Sequence, residues 1–116
     1  MLNFDLTTRV EPVTLTHRDG TKKEYTIREL AGRDMEAYLE SSKDKIIMSN
    51  GKVTGMRSFV DMYSGLLSRC VYDEATNGLV LKPDIDLWPA SVQKGMFTAA
   101  QEINGIGGDD KKVKNE

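Results

Sequence analysis

Few residues of this chain could carry out chemistry, and the sequence does not gather them into a catalytic set. His17 is the only histidine, and a catalytic histidine needs a nucleophile or a carboxylate that the sequence does not place beside it. Because His17 stands next to a predicted turn, we interpret it as a solvent-exposed turn residue. Asp84 and Asp86 flank one apolar residue and could act as an acid–base pair. Such residues more often cap the helix that follows, and we interpret them in that way.

The remaining motifs also give no sign of an enzyme. The glycine-rich run at 105–108 lacks the preceding strand and following helix of a phosphate-binding loop, so we interpret it as a helix stop and a linker. The sequence has neither Cys and His residues at metal-ligand spacing nor a Gly-x-Ser-x-Gly motif. We therefore expect no enzymatic activity, no metal site and no cofactor.

Composition and charge exclude several classes of protein. With 116 residues, 39% of them hydrophobic and 29% charged, the chain has the size and balance of one globular domain. The net charge of −2 gives no basic surface for nucleic acid. No run approaches about 18 apolar residues, so we expect no membrane span. Cys70 is the single cysteine and the N-terminus lacks a signal-peptide pattern, so we expect a cytoplasmic protein in a reducing compartment.

An early β-hairpin is the clearest strand signal. Apolar residues alternate with threonines in 13–16 and with polar residues in 24–27, on either side of an Asp-Gly turn. A two-residue loop would split the apolar residues between the two faces of the hairpin. A three-residue loop with Gly20 at positive φ restores one apolar face, and we predict this register, which pairs Val13 with Tyr25. Before the hairpin, residues 1–10 alternate weakly, and an edge strand and a docking arm both remain open.

Three helices are predicted after the hairpin. The first begins near Gly32 and keeps an apolar side as far as Ile46. The second runs from about 54 to 72 and has the broadest apolar stripe. The third has Pro89 as its first helical residue and ends at Gly105, which can take positive φ. The stripe of this third helix is formed by Val92, Met96, Ala99, Ile103 and Ile106.

The connections complete the predicted fold. Trp88, the only tryptophan, is expected to be mostly buried against the second helix through Phe59, Tyr63 or Leu66. Asn77-Gly78 predicts a turn, across which 79–81 pair briefly with 71–72. The predicted class is mainly α within α+β: an N-terminal β-hairpin, then a small bundle of about three helices. We expect one domain over 1–106 and a disordered polar tail over 107–116.

The methionine content leaves two interpretations open. The chain has six methionines, and methionine both fills cores and lines surfaces that accept varied apolar partners. The three predicted helices also carry more apolar surface than one copy can bury, so we expect self-association and a groove for a partner helix. The residues predicted to line this partner-binding groove are Met56, Met62, Leu66, Met96 and Phe97.

Four segments carry a resemblance to a known family. They are IRELAGRD at 27–34, GLLSRCVYD at 65–73, WPASV at 88–92 and AAQEING at 99–105. Together with the early hairpin, they make roughly residues 10–106 similar to the tail assembly chaperones of long-tailed, siphovirus-type bacteriophages and prophages.

This resemblance implies a specific role. Such chaperones are small, largely helical and self-associating, and they bind the long hydrophobic helical tape measure protein and keep it soluble. They bring tail tube protein subunits to it in the host bacterial cytoplasm, and they are absent from the mature virion. Some members have a longer frameshifted form, which the amino-acid sequence cannot reveal. Two alternatives remain: a structural head–tail or tail component retained in the virion, and a small DNA-binding regulator, against which the acidic balance argues.

Overall fold

The computed structural model describes residues 1–43, 45–56 and 61–106, which adopt an α+β fold. Within these residues, four strands form one antiparallel sheet and two form a separate hairpin. In chain order the elements are β1 (Val10–Thr16), β2 (Lys22–Arg28), α1 (Gly32–Ser42), β3 (Ile46–Ser49), β4 (Lys52–Met56), α2 (Met62–Cys70), β5 (Val71–Asp73), β6 (Gly78–Leu79), α3 (Lys82–Asp86) and α4 (Ala90–Asn104). The predicted N-terminal hairpin and α+β class are confirmed.

The first hairpin has the predicted register. Val13 lies opposite Tyr25, and the His17 N–H donates to the Thr21 carbonyl over 2.7 Å to close the loop. Gly20 has a φ of +91°, a conformation that side chains other than glycine's rarely adopt. The strands therefore place their apolar residues on one face, which is the face that the helices cover.

The core lies between this face of the sheet and helices α2, α3 and α4. β2 pairs with β5, and β5 with β6, so the sheet order is β1-β2-β5-β6. α2 leads directly into β5, which carries the chain from the helical layer into the sheet. The buried apolar residues are Tyr25, Ile27, Tyr38, Leu66, Leu67, Cys70, Val71, Ile85, Met96 and Ala100.

The predicted helix over 54–72 is wrong in its extent. Residues 52–56 form β4, α2 begins at Met62, and 71–72 belong to β5. The cause is the turn at Asn50 and Gly51, whose φ angles of 55° and 80° fit a tight turn between paired strands. β4 therefore folds back on β3, and Ile46, which we expected in the first helix, lies in β3. Residues 57–60, which include Phe59, lie outside the described residues.

The last helix ends as predicted but begins later. Gly105 has a φ of +65° and terminates α4. Pro89 is the residue before the first helical turn rather than its first member, and Trp88 lies in the short connection between α3 and α4. Because this connection faces the sheet, Trp88 is half-buried and its ring contacts Tyr25. Trp88 is thus less buried than expected: it packs at the edge of the core, and its aromatic contact is with β2.

The connector before α3 matches its prediction in one respect and not in another. Tyr72 pairs with Leu79 across the turn that contains Asn77, so the predicted short hairpin is present. Asp84 and Asp86 lie within α3, and neither α3 nor α4 has a side-chain cap. The capping interpretation is therefore wrong. The Asp86 carboxylate bonds instead with the side chains of Ser64 and Lys82. The tail predicted over 107–116 lies outside the described residues.

Candidate partner-binding site

The structure separates the five predicted groove residues. Leu66 is fully buried and Met96 is 5% exposed, so both belong to the core rather than to a surface. Met56 is the last residue of β4 and is not on the same helix as Met62. Of the four predicted residues whose side chains are described, Met62 and Phe97 meet at a common surface, where both are half-buried. The predicted groove is thus replaced by a smaller depression around these two residues.

This depression lies between α1, α2 and α4 and has a volume of about 230 Å³. Its apolar wall combines residues from all three helices and the residue that follows α4. The members of this wall are Tyr38, Leu39, Met62, Phe97 and Ile106. The polar and charged residues that line it are Ser41, Ser42, Lys45, Asp61, Ser68, Arg69, Lys82 and Gln101, and we call these its margin. We call this surface the helical depression.

Gly65 lines the helical depression in the middle of α2. A Cβ atom built at this position would meet no neighbouring atom within 4 Å. A glycine inside a helix costs roughly 0.5–1 kcal/mol of stability relative to alanine, and packing among the described residues does not require one here. The missing side chain leaves space in the helical depression.

Aromatic contacts fix the position of the apolar wall. The rings of Tyr63 and Phe97 meet edge to face, with centroids 5.2 Å apart and planes at 60°. This contact joins α2 to α4 and holds Phe97 beside the helical depression. On the opposite wall Tyr38 is buried, and burial raises the pKa of its hydroxyl while a hydrogen bond with Ser42 opposes the shift.

At the margin of the helical depression, Lys82 forms ion pairs with two carboxylates. The Lys82 ammonium lies 2.9 Å from the Asp61 carboxylate and 3.0 Å from that of Asp86. Hydrogen bonds to these two carboxylates raise the pKa of Lys82. The buried Ser64 hydroxyl donates to Asp86, and this bond, followed by the lysine, lowers the pKa of that carboxyl. The network connects the start of α2 to α3 and keeps charge of both signs beside the apolar wall.

Cys70 and His17 do not line this surface. Cys70 is fully buried, and burial raises the pKa of its thiol to about 12, so the reactive thiolate does not form near neutral pH. His17 is exposed at the hairpin loop. Within residues 1–43, 45–56 and 61–106, no three His, Cys, Asp or Glu side chains are grouped to hold a metal ion.

Comparison with protein-family models, with curated proteins and with solved structures finds no match for this chain. No helix in the described ranges is long and apolar enough to cross a membrane. The helical depression is therefore interpreted from its own geometry. Sequence reasoning found Met62 and Phe97 but missed Gly65, although a glycine inside an apolar helical pattern is itself a signal that a side chain is unwanted there.

Proposed function

We propose that this protein is a phage tail assembly chaperone that binds an amphipathic helix of the tape measure protein in the helical depression. By covering apolar surface on that long helical protein, it keeps its partner soluble until tail tube subunits are recruited. It acts in the cytoplasm of the host bacterium and leaves before the virion is complete. The role is one of binding, without catalysis or a cofactor.

The observation that carries this proposal is the open apolar wall around Gly65. Helix-in-groove binding needs an apolar surface on one partner and apolar anchors at helical spacing on the other. Met62 supplies a flexible lining that accepts anchors of different shape. At about 230 Å³, the helical depression is smaller than the roughly 300–1,000 Å³ of typical small-molecule sites. It suits one or two anchoring side chains of a partner protein better than a free metabolite.

The charged margin favours an amphipathic partner over a uniformly apolar one. Lys45 and Arg69 contribute positive charge, and Asp61 lies on the same margin beside Lys82. Charged groups around an apolar centre orient a partner and exclude wrong ones more than they add affinity. A helix with one apolar stripe and mixed charges on its flanks matches this arrangement.

Co-expression tests the proposal. The partner to use is the tape measure protein of the same phage or prophage, recognisable as a very long reading frame rich in helical repeats. We expect it to be insoluble when expressed alone and soluble when this protein is co-expressed. If the wild-type protein leaves the tape measure protein insoluble, the proposal is wrong. Mass spectrometry of purified particles separates this role from that of a virion component, because a chaperone is absent from finished particles.

A further inference from the structure

The N-terminal segment exposes a row of large apolar side chains. Leu2, Phe4 and Leu6 are 83%, 82% and 99% exposed. They stand two residues apart, so an extended chain places them on one side. A contiguous row of apolar groups in water usually marks an interaction site. We call residues 1–9 the arm.

A second apolar surface lies on the same molecule, at a distance from the helical depression. It is a groove of about 550 Å³ between β1 and α4. Val13 and Leu15 form its strand wall, and both are half-buried. The helix wall contains Val92, Met96, Ala99 and Ile103. We call this surface the β1–α4 groove.

The β1–α4 groove is held open by a second glycine. Gly95 lines it near the middle of the 15-residue helix α4. A Cβ atom there would meet nothing within 4 Å. Glycine weakens a helix relative to alanine, and no contact among the described residues requires it at this position. The space beside Gly95 is therefore free to receive a group from another molecule.

The dimensions of the arm and the groove agree. From Leu2 to Leu6 an extended chain spans roughly 13 Å, at about 3.3 Å per residue. The helix wall from Ser91 to Ile103 is roughly 18 Å long, at 1.5 Å per residue. The three apolar side chains of the arm thus fit within the length of one groove.

The arm is poorly placed to enter the groove of its own chain. The Glu29 N–H donates to the Arg9 carbonyl over 2.9 Å, and the Arg9 N–H donates to the Glu29 carboxylate over 3.0 Å. These bonds continue the β1–β2 ladder as far as Arg9, which fixes the base of the arm beside β2. Within its own chain, residues 5–8 of the arm line a different depression, together with Glu29, Leu30 and Tyr72, and the Thr7 N–H donates to the Asp5 carboxylate over 2.8 Å.

Addition of a strand to the free edge of β1 is also disfavoured. Residues 9 and 17 hydrogen-bond toward β2, so the alternate residues between them direct their backbone groups to the free edge. Pro12 is one of these and has no N–H to donate. The β1–α4 groove, rather than the strand edge, is the surface that can receive the arm.

We propose that the arm of one copy lies in the β1–α4 groove of a second copy, and that two copies exchange arms reciprocally. In a two-fold symmetric pair each arm lies in the groove of the other copy, so no arm or groove is left for a third copy. Six buried apolar side chains and the groove walls that they cover give an interface on the order of 1,200 Å², the lower range of stable complexes. The proposal is independent of the chaperone function, because it uses a different surface.

Sedimentation equilibrium of the full-length protein tests the exchange. We expect the wild-type protein to be dimeric and Phe4→Asp to weaken the dimer by roughly a hundredfold or more, because the reciprocal pair loses two buried aromatic groups at about tenfold or more each. Phe4 is exposed within the chain, so this variant keeps its fold. Asn3→Asp adds the same charge on the opposite side of the arm and should leave the dimer unchanged.

A variant in the β1–α4 groove gives a second test. Gly95→Lys places a charged side chain in the β1–α4 groove and should weaken the dimer as Phe4→Asp does. Its melting temperature should not fall, because it replaces a helical glycine with a better helix former. A mixture of the two variants should form heterodimers, since one intact arm meets one intact groove. A monomeric wild-type protein, a dimer unaffected by either variant, or a mixture without heterodimers would each overturn the proposal.

Discussion

The rings of Tyr25 and Trp88 meet edge to face, with centroids 5.4 Å apart and planes at 71°. Tyr25 lies on β2 and is 5% exposed, whereas Trp88 is half-buried in the connection between α3 and α4. The contact therefore joins the sheet to the point where the last helix begins. It fixes the orientation of α4, which supplies one wall to the helical depression and one to the β1–α4 groove.

Trp88→Ala should destabilise the protein toward the lower end of the roughly 3–5 kcal/mol typical of Trp and Phe truncations in cores. The value is low in that range because the ring is only half-buried. A double-mutant cycle with Tyr25→Ala should show a coupling of about 0.5–1.5 kcal/mol, as found for aromatic pairs. Urea denaturation measures both quantities. A loss below about 1 kcal/mol for Trp88→Ala would mean that the indole is a dispensable surface group.

Gly20→Ala should destabilise the first hairpin by about 1–2 kcal/mol, because a Cβ atom is strained at a φ of +91°. Gly32→Ala is the matched control. Gly32 has no positive φ and no atom within 4 Å of a Cβ at its position, and it lies in the first turn of α1, so alanine there should be neutral or stabilising. Thermal denaturation compares the two. Equal stability of both variants would contradict the observed loop conformation.

The Cys70 thiol gives a prediction at high pH. Burial raises its pKa from 9.0 to about 12, so the folded protein retains a proton that the unfolded chain releases. The contribution of this group to stability is therefore complete below pH 9 and declines as pH rises toward 12. Burial also raises the pKa of Tyr38, and this residue is present in both the wild-type protein and Cys70→Ala, so both should lose stability with rising pH. The free energy of unfolding should fall more steeply in this range for the wild-type protein, because only it carries the buried thiol. Parallel curves would mean that the thiol is not shielded from water.

The sequence predicted best the features that neighbouring residues determine. Gly20 and the alternation around it are enough to set the loop and the pairing of Val13 with Tyr25, because both follow from local backbone geometry. Gly105 likewise specifies the end of α4 through its positive φ. These predictions needed no knowledge of what lies far away in the chain.

Other features depended on contacts between distant segments. Met56 fits a helical stripe as well as a strand, and only the return of β4 along β3 decides between them. Leu66 and Met62 share one helix, yet the first is in the core and the second at the surface. Which side of α2 is covered depends on where α4 and the sheet lie, and the pattern of α2 alone does not contain that information.

The central claim is that the helical depression binds the tape measure protein, and a pair of glycine variants tests it most directly. Gly65→Glu fills the helical depression and should be compatible with the fold, because its Cβ meets no neighbour and its carboxylate lies one helical turn before Arg69. Gly95→Lys alters the other groove and serves as the control.

The measurement is the soluble fraction of the tape measure protein when it is co-expressed with each variant. The wild-type protein and Gly95→Lys should keep it in solution, and Gly65→Glu should leave it in the pellet while itself remaining folded and soluble. If Gly65→Glu solubilises the tape measure protein as well as the wild type does, the helical depression is not its binding site and the account is contradicted.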